Sequence, residues 1–418
     1  MVIFYGACRR GEWCGCVTRK FFLMALLSLV AARASAQNPP DPSSQARVRI
    51  GPLALSPAIS LTNAGVDNNV FNEPNDLLPK SDFTMTVQPK TDLWLHLGRS
   101  LVIGNVTEDL VYYHTYASQR SANTSLKVGL LVPLTRITLK GNVGYINTKD
   151  RPGFEIDARV QRTELSYDGA VELRALAKTF VGVRAARQKV NYDPADRFVG
   201  VDLHTELNRT VTSESLTLRH QLTPLTSLTF DAGKQQDRFE FNPLRDSDST
   251  TITGGVLFDQ FALLKGSARF GYRDFEPRVA GLPNYKGSTA AVDLSYVALG
   301  STKVTVGAAR DINYSYDINQ PYYVQTGGTL SIMQQIFGPV DVVGRVGVQR
   351  LDYRGRTVAA VAVPGRTDYV HSYGGGIGYH LGRDIRIGFN VDKQRRTSAL
   401  DARTYDDLRY GTAVTYGF

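Results

Sequence analysis

Three scarcities bound this sequence before any motif is sought. Its 3 cysteines, Cys8, Cys14 and Cys16, stand at the extreme N-terminus, so the long remainder has no thiol for a disulfide, a soft-metal site or a nucleophile. Histidine is sparse at 6 residues, and His96, His114, His204, His220, His371 and His380 lack the close pairing of a zinc site. After the N-terminal region no stretch is apolar for the ~20 residues that a spanning helix needs, which excludes a helical anchor. Nor is there a G-x-S-x-G, an H-E-x-x-H or a P-loop, so no enzyme and no cofactor are expected. Outer-membrane hydrolases assemble Ser/His or Asp/His sites from distant strands.

Charge of one sign is also modest. The formal net charge is +9, but Arg9, Arg10, Arg19, Lys20 and Arg33 against Glu12 account for four of it within residues 1–36. The other five are scattered without a basic block, which argues against nucleic acid as a partner. Mean hydropathy is -0.20, the value of a soluble protein. Chains whose strands alternate lipid-facing and lumen-facing residues average to such values too. The 38 glycines, 21 tyrosines and 18 phenylalanines fit short turns and aromatic girdles.

What is present begins with a targeting signal. Arg19-Lys20 precedes an apolar run from Phe21 to Ala32, and Ala34-Ser35-Ala36 precedes Gln37. That order predicts a secretory signal over 1–36, removed at Gln37 together with all three cysteines. Residues 1–16 read as an over-called start, with initiation at Val17. No cysteine follows Ala32 for lipid attachment. Residues 37–51, rich in Pro, Ser and Gln, are expected to form a disordered periplasmic lead-in to a barrel over 52–418.

From Pro52 the pattern has period two. Ile385, Ile387, Phe389 and Val391 face away from Arg386, Gly388, Asn390 and Asp392; Val340, Val342, Val346 and Val348 face away from Asp341, Arg345 and Gln349; Leu228, Phe230 and Ala232 oppose Thr229, Asp231 and Gly233. Connections alternate between two lengths. Short ones fall near 98–99, 133–134, 175–177, 224–225, 261–262, 300–301, 338–339 and 382–383. Long polar ones fall near 65–81, 117–121, 147–159, 191–206, 238–248, 276–286, 315–321, 354–366 and 395–404. Eight short and nine long connections join eighteen strands. The expected fold is therefore an all-β, transmembrane, antiparallel up-and-down β-barrel in a Gram-negative outer membrane, with short periplasmic turns and longer extracellular loops. A soluble sandwich or propeller also alternates, but neither explains the asymmetry of the connections. At the end, Tyr410, Thr412, Val414, Tyr416 and Phe418 share a face, and Tyr416 with terminal Phe418 has the form of a signal for the barrel-assembly machinery.

The run Val66-Asp67-Asn68-Asn69-Val70-Phe71, followed by Lys80-Ser81-Asp82-Phe83 and Val87-Gln88-Pro89, resembles the opening of the putative beta-barrel porin 2 family, whose "dNvf" loop precedes an "SDf…v.P.l" second strand. Gly65-Val66 stands where an aromatic residue is expected before the Asp. Beyond these segments the resemblance is one of architecture, to Phe418. It implies a porin-like or polymer-export role and fixes no ligand-binding residue. Asp67, Asn68, Asn69, Glu73, Asn75 and Asp76 offer oxygen ligands for calcium without the EF-hand spacing, and a solvated outer loop is the preferred reading.

A barrel of this strand number encloses water unless something fills it, and no folded plug is expected, because plugged transporters need about 22 strands and a plug domain. Period two puts Lys140, Arg184, Arg219, Arg269, Arg345 and Arg386 on lumen faces, with Asp231, Asp341 and Asp392 among them; Arg345 and Arg386 are taken to lie on neighbouring strands. An excess of cations would favour anionic solutes, while each residue alone is adequately explained as a solvated interior charge. The expected function is a channel for exopolysaccharide or capsule export, served by periplasmic and inner-membrane export proteins. A general solute porin and a structural or adhesive surface barrel are the alternatives. Outer-membrane lipid and the assembly machinery are the other expected partners; no metal is expected.

Overall fold

Two period-two segments joined by a tight turn pair with each other, and eighteen in succession have only to meet end to end to leave no edge. The computed structural model describes residues 41–356, 365–382 and 384–417. In it the strands are β1 (Leu53–Asp67), β2 (Asp82–Leu97), β3 (Ser100–Tyr113), β4 (Ser121–Pro133), β5 (Ile137–Asp150), β6 (Val160–Leu176), β7 (Thr179–Tyr192), β8 (Arg209–Thr223) and β9 (Thr226–Phe239). The second half follows as β10 (Ser247–Phe258), β11 (Leu264–Pro277), β12 (Tyr285–Ala298), β13 (Thr302–Tyr314), β14 (Tyr322–Phe337), β15 (Val340–Arg354), β16 (Thr367–Leu381), β17 (Ile385–Thr397) and β18 (Tyr405–Tyr416). Every consecutive pair is antiparallel. β18 returns to β1, from Ile59 opposite Tyr416 to Asp67 opposite Arg409, and closes the sheet. Closure pairs the strand backbones among themselves, which is the condition for crossing hydrocarbon. Eighteen strands about 4.8 Å apart and tilted about 40° make a wall roughly 35 Å across.

Cross-strand partners share a face, so register assigns inside and outside. Arg345 pairs Gly374, Gly374 pairs Asp392, Asp392 pairs Arg409 and Arg409 pairs Asp67, which makes one polar row. The opposite parity gives an exposed apolar band that includes Leu130, Val143, Val171, Val183, Leu216, Phe230, Phe270, Val346, Ile377 and Phe389. A patch of that extent is a lipid-facing surface. Toward the long loops the same outward parity turns polar at Asn147, Arg187, Gln236, Arg310, Arg350 and Arg395.

The lead-in departs from expectation. Residues 1–36 and the cysteines lie outside the described residues, but from Asp41 the segment expected to be disordered is built into the fold. Asp41 caps a 3-10 turn at Pro42–Gln45, and Val48–Ile50 pairs antiparallel with Leu53–Leu55 of β1. The reason is an edge: β18 ends opposite Ile59, leaving the lower part of β1 with unpaired backbone groups that this short strand satisfies. Arg47 adds an ion pair with Asp384 at 3.4 Å.

Candidate functional site

The mouth at the long-loop end is where chain from every side converges. Residues 151–159, between β5 and β6, run inward. Ser315 Oγ, in the connection of β13 to β14, donates to Glu155 Oε1 at 2.5 Å, and the Tyr316 amide donates to Oε2 at 3.2 Å. On β17, Arg396 donates to the carbonyls of Phe154 at 2.7 Å and Glu155 at 3.2 Å, and to Asp157 Oδ2 at 3.2 Å. In the ring of eighteen, β13 is seven strands from β6 in one direction and β17 seven in the other. A loop that touches both crosses the lumen. A folded plug domain was not expected, and it is the barrel's own loops that fold into the mouth.

Apolar burial seats them. The connection of β7 to β8 contributes Phe198, from a two-residue pairing of Arg197–Phe198 with Val201–Asp202, and Leu203 and Leu207 of a short helix α1 (Leu203–Leu207). These pack with Ile156 and Tyr316 against Val160, Val190, Tyr192 and Phe239 of the inner wall. Each such side chain contributes about 1.5–3 kcal/mol when fully buried. Phe198 and Tyr316 meet edge to face at 4.9 Å, and the Arg403 guanidinium lies 4.6 Å over the Phe198 ring.

Around this core lies a buried ionic cluster. Arg396 bonds Asp368 at 2.6 Å, and both side chains are fully buried. Arg403 reaches Asp157 at 3.2 Å and also donates to the Glu155 carbonyl. Arg245, 2% exposed, holds the carbonyls of Ser315 at 2.7 Å and Tyr316 at 3.1 Å and pairs with Glu206 at 2.9 Å. A buried pair adds little net stability, yet removing one partner costs about 3–5 kcal/mol, so such a cluster fixes geometry. Burial pushes the Glu155 carboxyl up to about 7, against the opposing pull of Ser315, Arg403, the Tyr316 amide and Arg396. Asp157 is raised by the same cause, opposed by Arg403 and Arg396. None of these residues was singled out in the sequence; Glu155 and Asp157 stand about 240 positions from Arg396 and Arg403.

The acidic and amide cluster after β1 is corrected in part, since Asn68, Asn75 and Asp76 are exposed as in a solvated loop. Asp67 and Asn69 are buried rather than solvated. Asp67 accepts from the Asn69 amide at 2.9 Å and pairs with Arg409 at 3.1 Å; Asn69 accepts from the Glu73 amide and donates to the Glu73 and Asp406 carbonyls. Asn68 accepts from the Leu408 amide at 2.7 Å, and Asp82 accepts from the amides of Thr115 and Tyr116. The bonds of Asp67, Asn68 and Asn69 to Arg409, Leu408 and Asp406 clasp the first strand to the last, while Asp82 ties β2 to the connection after β3. Arg151 ties the crossing loop to this clasp through the Val70 carbonyl at 2.8 Å. Among the described residues no group of three or more His, Cys, Asp or Glu is placed to hold a metal.

Below the mouth, register puts all nine lumen candidates on the inward parity, and most are paired. Lys140 and Arg219 both bond Glu172, the former at 2.5 Å; Arg184 pairs with Asp168. Arg345 pairs with Asp392 at 3.0 Å, and Arg386 with Asp341 at 2.6 Å, where His380 also sits at 2.8 Å. Among the described residues Arg269 and Asp231 make no ion pair. Arg345 and Arg386 are not on adjacent strands as expected, since β16 runs between β15 and β17. Their side chains lie across it because its inward positions are Gly374, Gly376 and Gly378: a Cβ at Gly374 would fall 2.0 Å from Asp392 Oδ1, and one at Gly378 2.3 Å from Arg386 Nη2. The excess of lumen cations read from the sequence is thus largely cancelled in place. Tyr416 faces outward at the end of β18, opposite Ile59 and Ile385, while Phe418 lies outside the described residues.

Solved structures with a similar fold include OpdK of Pseudomonas aeruginosa, at 12% identity over 86% of this chain and 98% of that one, TM-score 0.42. OccK3 (OpdO) of the same organism gives 13%, 87% and 95%, TM-score 0.43. A BenF-like porin of Pseudomonas fluorescens Pf-5 gives 9%, 87% and 99%, TM-score 0.44. A likeness this remote carries no substrate from them to this chain. No curated protein matches the sequence. The family described as putative beta-barrel porin 2 matches residues 41–418, so the whole barrel, from the capped turn at Pro42 to the closing strand, belongs to that outer-membrane family.

Proposed function

We propose that the barrel is a passive diffusion channel for small polar solutes, not a conduit for a sugar polymer. The observation that carries this reading is the loop at 151–159, bolted across the mouth to β17 by Arg396 and to the β13–β14 connection by Ser315. Solutes of a few ångströms pass beside such a strap through a wall roughly 35 Å across. A hydrated polymer chain would have to displace it against a buried ionic cluster. The periplasmic and inner-membrane export partners expected from the sequence belong to the polymer reading and go with it. Liposomes holding the purified barrel should swell with monosaccharides and amino acids and progressively less with longer oligosaccharides. Replacing residues 152–157 with a Gly-Ser linker should raise single-channel conductance and admit the longer ones. Wild-type passage of long oligosaccharides at the monosaccharide rate restores polymer export, and a silent bilayer with both proteins favours a structural barrel.

A further inference from the structure

The lipid-facing wall of a barrel is normally filled out by branched side chains, but between β4 and β10 it is hollowed. Gly141, Gly169 and Ala185 are successive cross-strand partners on the outward parity, and a Cβ at Gly141 or Gly169 would meet nothing within 4 Å. Two adjoining hollows of about 850 and 730 Å³ share Gly169 and Ala185 as floor, with Val143, Val171, Val183 and Leu216 as walls. Toward the long loops they end in charge. Arg187 and Lys234 line the outer surface, are exposed, and make no ion pair among the described residues. Glu214, cross-strand from Lys234, is the one acid on the outward parity there.

Unpaired cations at the upper margin of an apolar groove match a lipid, whose anionic head lies at the height where its tail begins. We propose that this groove binds one acyl chain of the phosphorylated glycolipid of the outer leaflet, with its phosphate held by Arg187 and Lys234. By register the two residues stand about 12 Å apart at Cα, two strands over and two positions along, so their side chains converge on a group between them.

Native mass spectrometry of the purified full barrel, titrated with bis-phosphorylated lipid A or with its dephosphorylated form, tests this. Wild type should retain one lipid A and much less of the dephosphorylated lipid. The R187S/K234S variant should bind lipid A roughly tenfold more weakly, since each basic residue facing an anionic surface contributes several-fold. Gly169→Leu, which fills open space, should weaken both lipids equally. Equal retention of lipid A by wild type and R187S/K234S, with both migrating as folded barrels, overturns the proposal. So does a defined oligomer that Gly169→Leu dissolves while lipid A binding persists, which would assign the groove to a second copy.

Discussion

Glu155 sits at the centre of the strap, its carboxyl among Ser315, Tyr316, Arg396 and Arg403, and burial lifts it to about 7 from an ordinary 4.5. An acid raised in the folded state stabilises that state fully below its unfolded value, and the contribution is lost as pH rises through its folded value. The span between the two corresponds to something on the order of 3 kcal/mol. The strap should therefore sit more firmly at pH 5 than at pH 8, with Asp157 changing in the same sense. Single-channel records are expected to show more frequent excursions to larger conductance as pH rises through 7. Glu155→Gln, neutral at every pH, should hold the low-pH behaviour throughout, while keeping an oxygen for the Tyr316 amide and a donor for Ser315. An unaltered pH profile in Glu155→Gln would assign the gating to other groups.

At the scale of the element, the seam between β1 and β18 carries a break in its pairing. Its register shifts between Leu61 and Ala64, with Asn63 in the left-handed region at φ 53. Gly65 is pressed against the partner strand so closely that a Cβ would lie 2.0 Å from the Tyr410 carbonyl oxygen and 2.4 Å from the Gly411 Cα. Backbone cannot retreat as a side chain does, and overpacking costs typically about 1–3 kcal/mol even where it can. Gly65→Ala should lower the fraction of barrel that migrates as the compact, heat-modifiable species on unboiled gels, whereas Gly141→Ala, in open space, should not. Equal yields of the two variants would show that the seam tolerates what the geometry forbids. The strands themselves were legible because period two and turn residues are local: Gly98-Arg99 marks a turn in which Gly98 takes φ 62. The lead-in was misread because low apolar content reveals nothing about a waiting edge. The strap was invisible for a stronger reason, since Glu155 and Asp157 look like ordinary loop acids until Arg396 and Arg403 are brought to them from the far wall. The glycines of β16 were the nearest thing to a clue, as an inward run of Gly374, Gly376 and Gly378 makes room for side chains from both neighbours.

For the whole molecule, the question is whether paired charges on the wall act on a passing ion. Counting residue types suggested an anion-favouring lumen, but Arg345 and Arg386 each face a carboxylate across β16, and Lys140, Arg184 and Arg219 face Glu172 and Asp168. At 3.0 Å Arg345 and Asp392 make a dipole whose field in water falls off well within a screening length of about 8 Å at physiological salt. A dipole of that size biases a lumen far less than a free charge. Wild-type protein in a KCl gradient should then give a reversal potential near zero, with any residual anion preference coming from unpaired charges such as Arg269. Arg345→Gln alone should move the potential toward cation selectivity, because it leaves Asp392 uncompensated and half exposed in the pore. Adding Asp392→Asn should return it to the wild-type value. Should the double variant stay displaced, the arginine acts on ions independently of its partner, and the excess of cations in the sequence would regain its meaning.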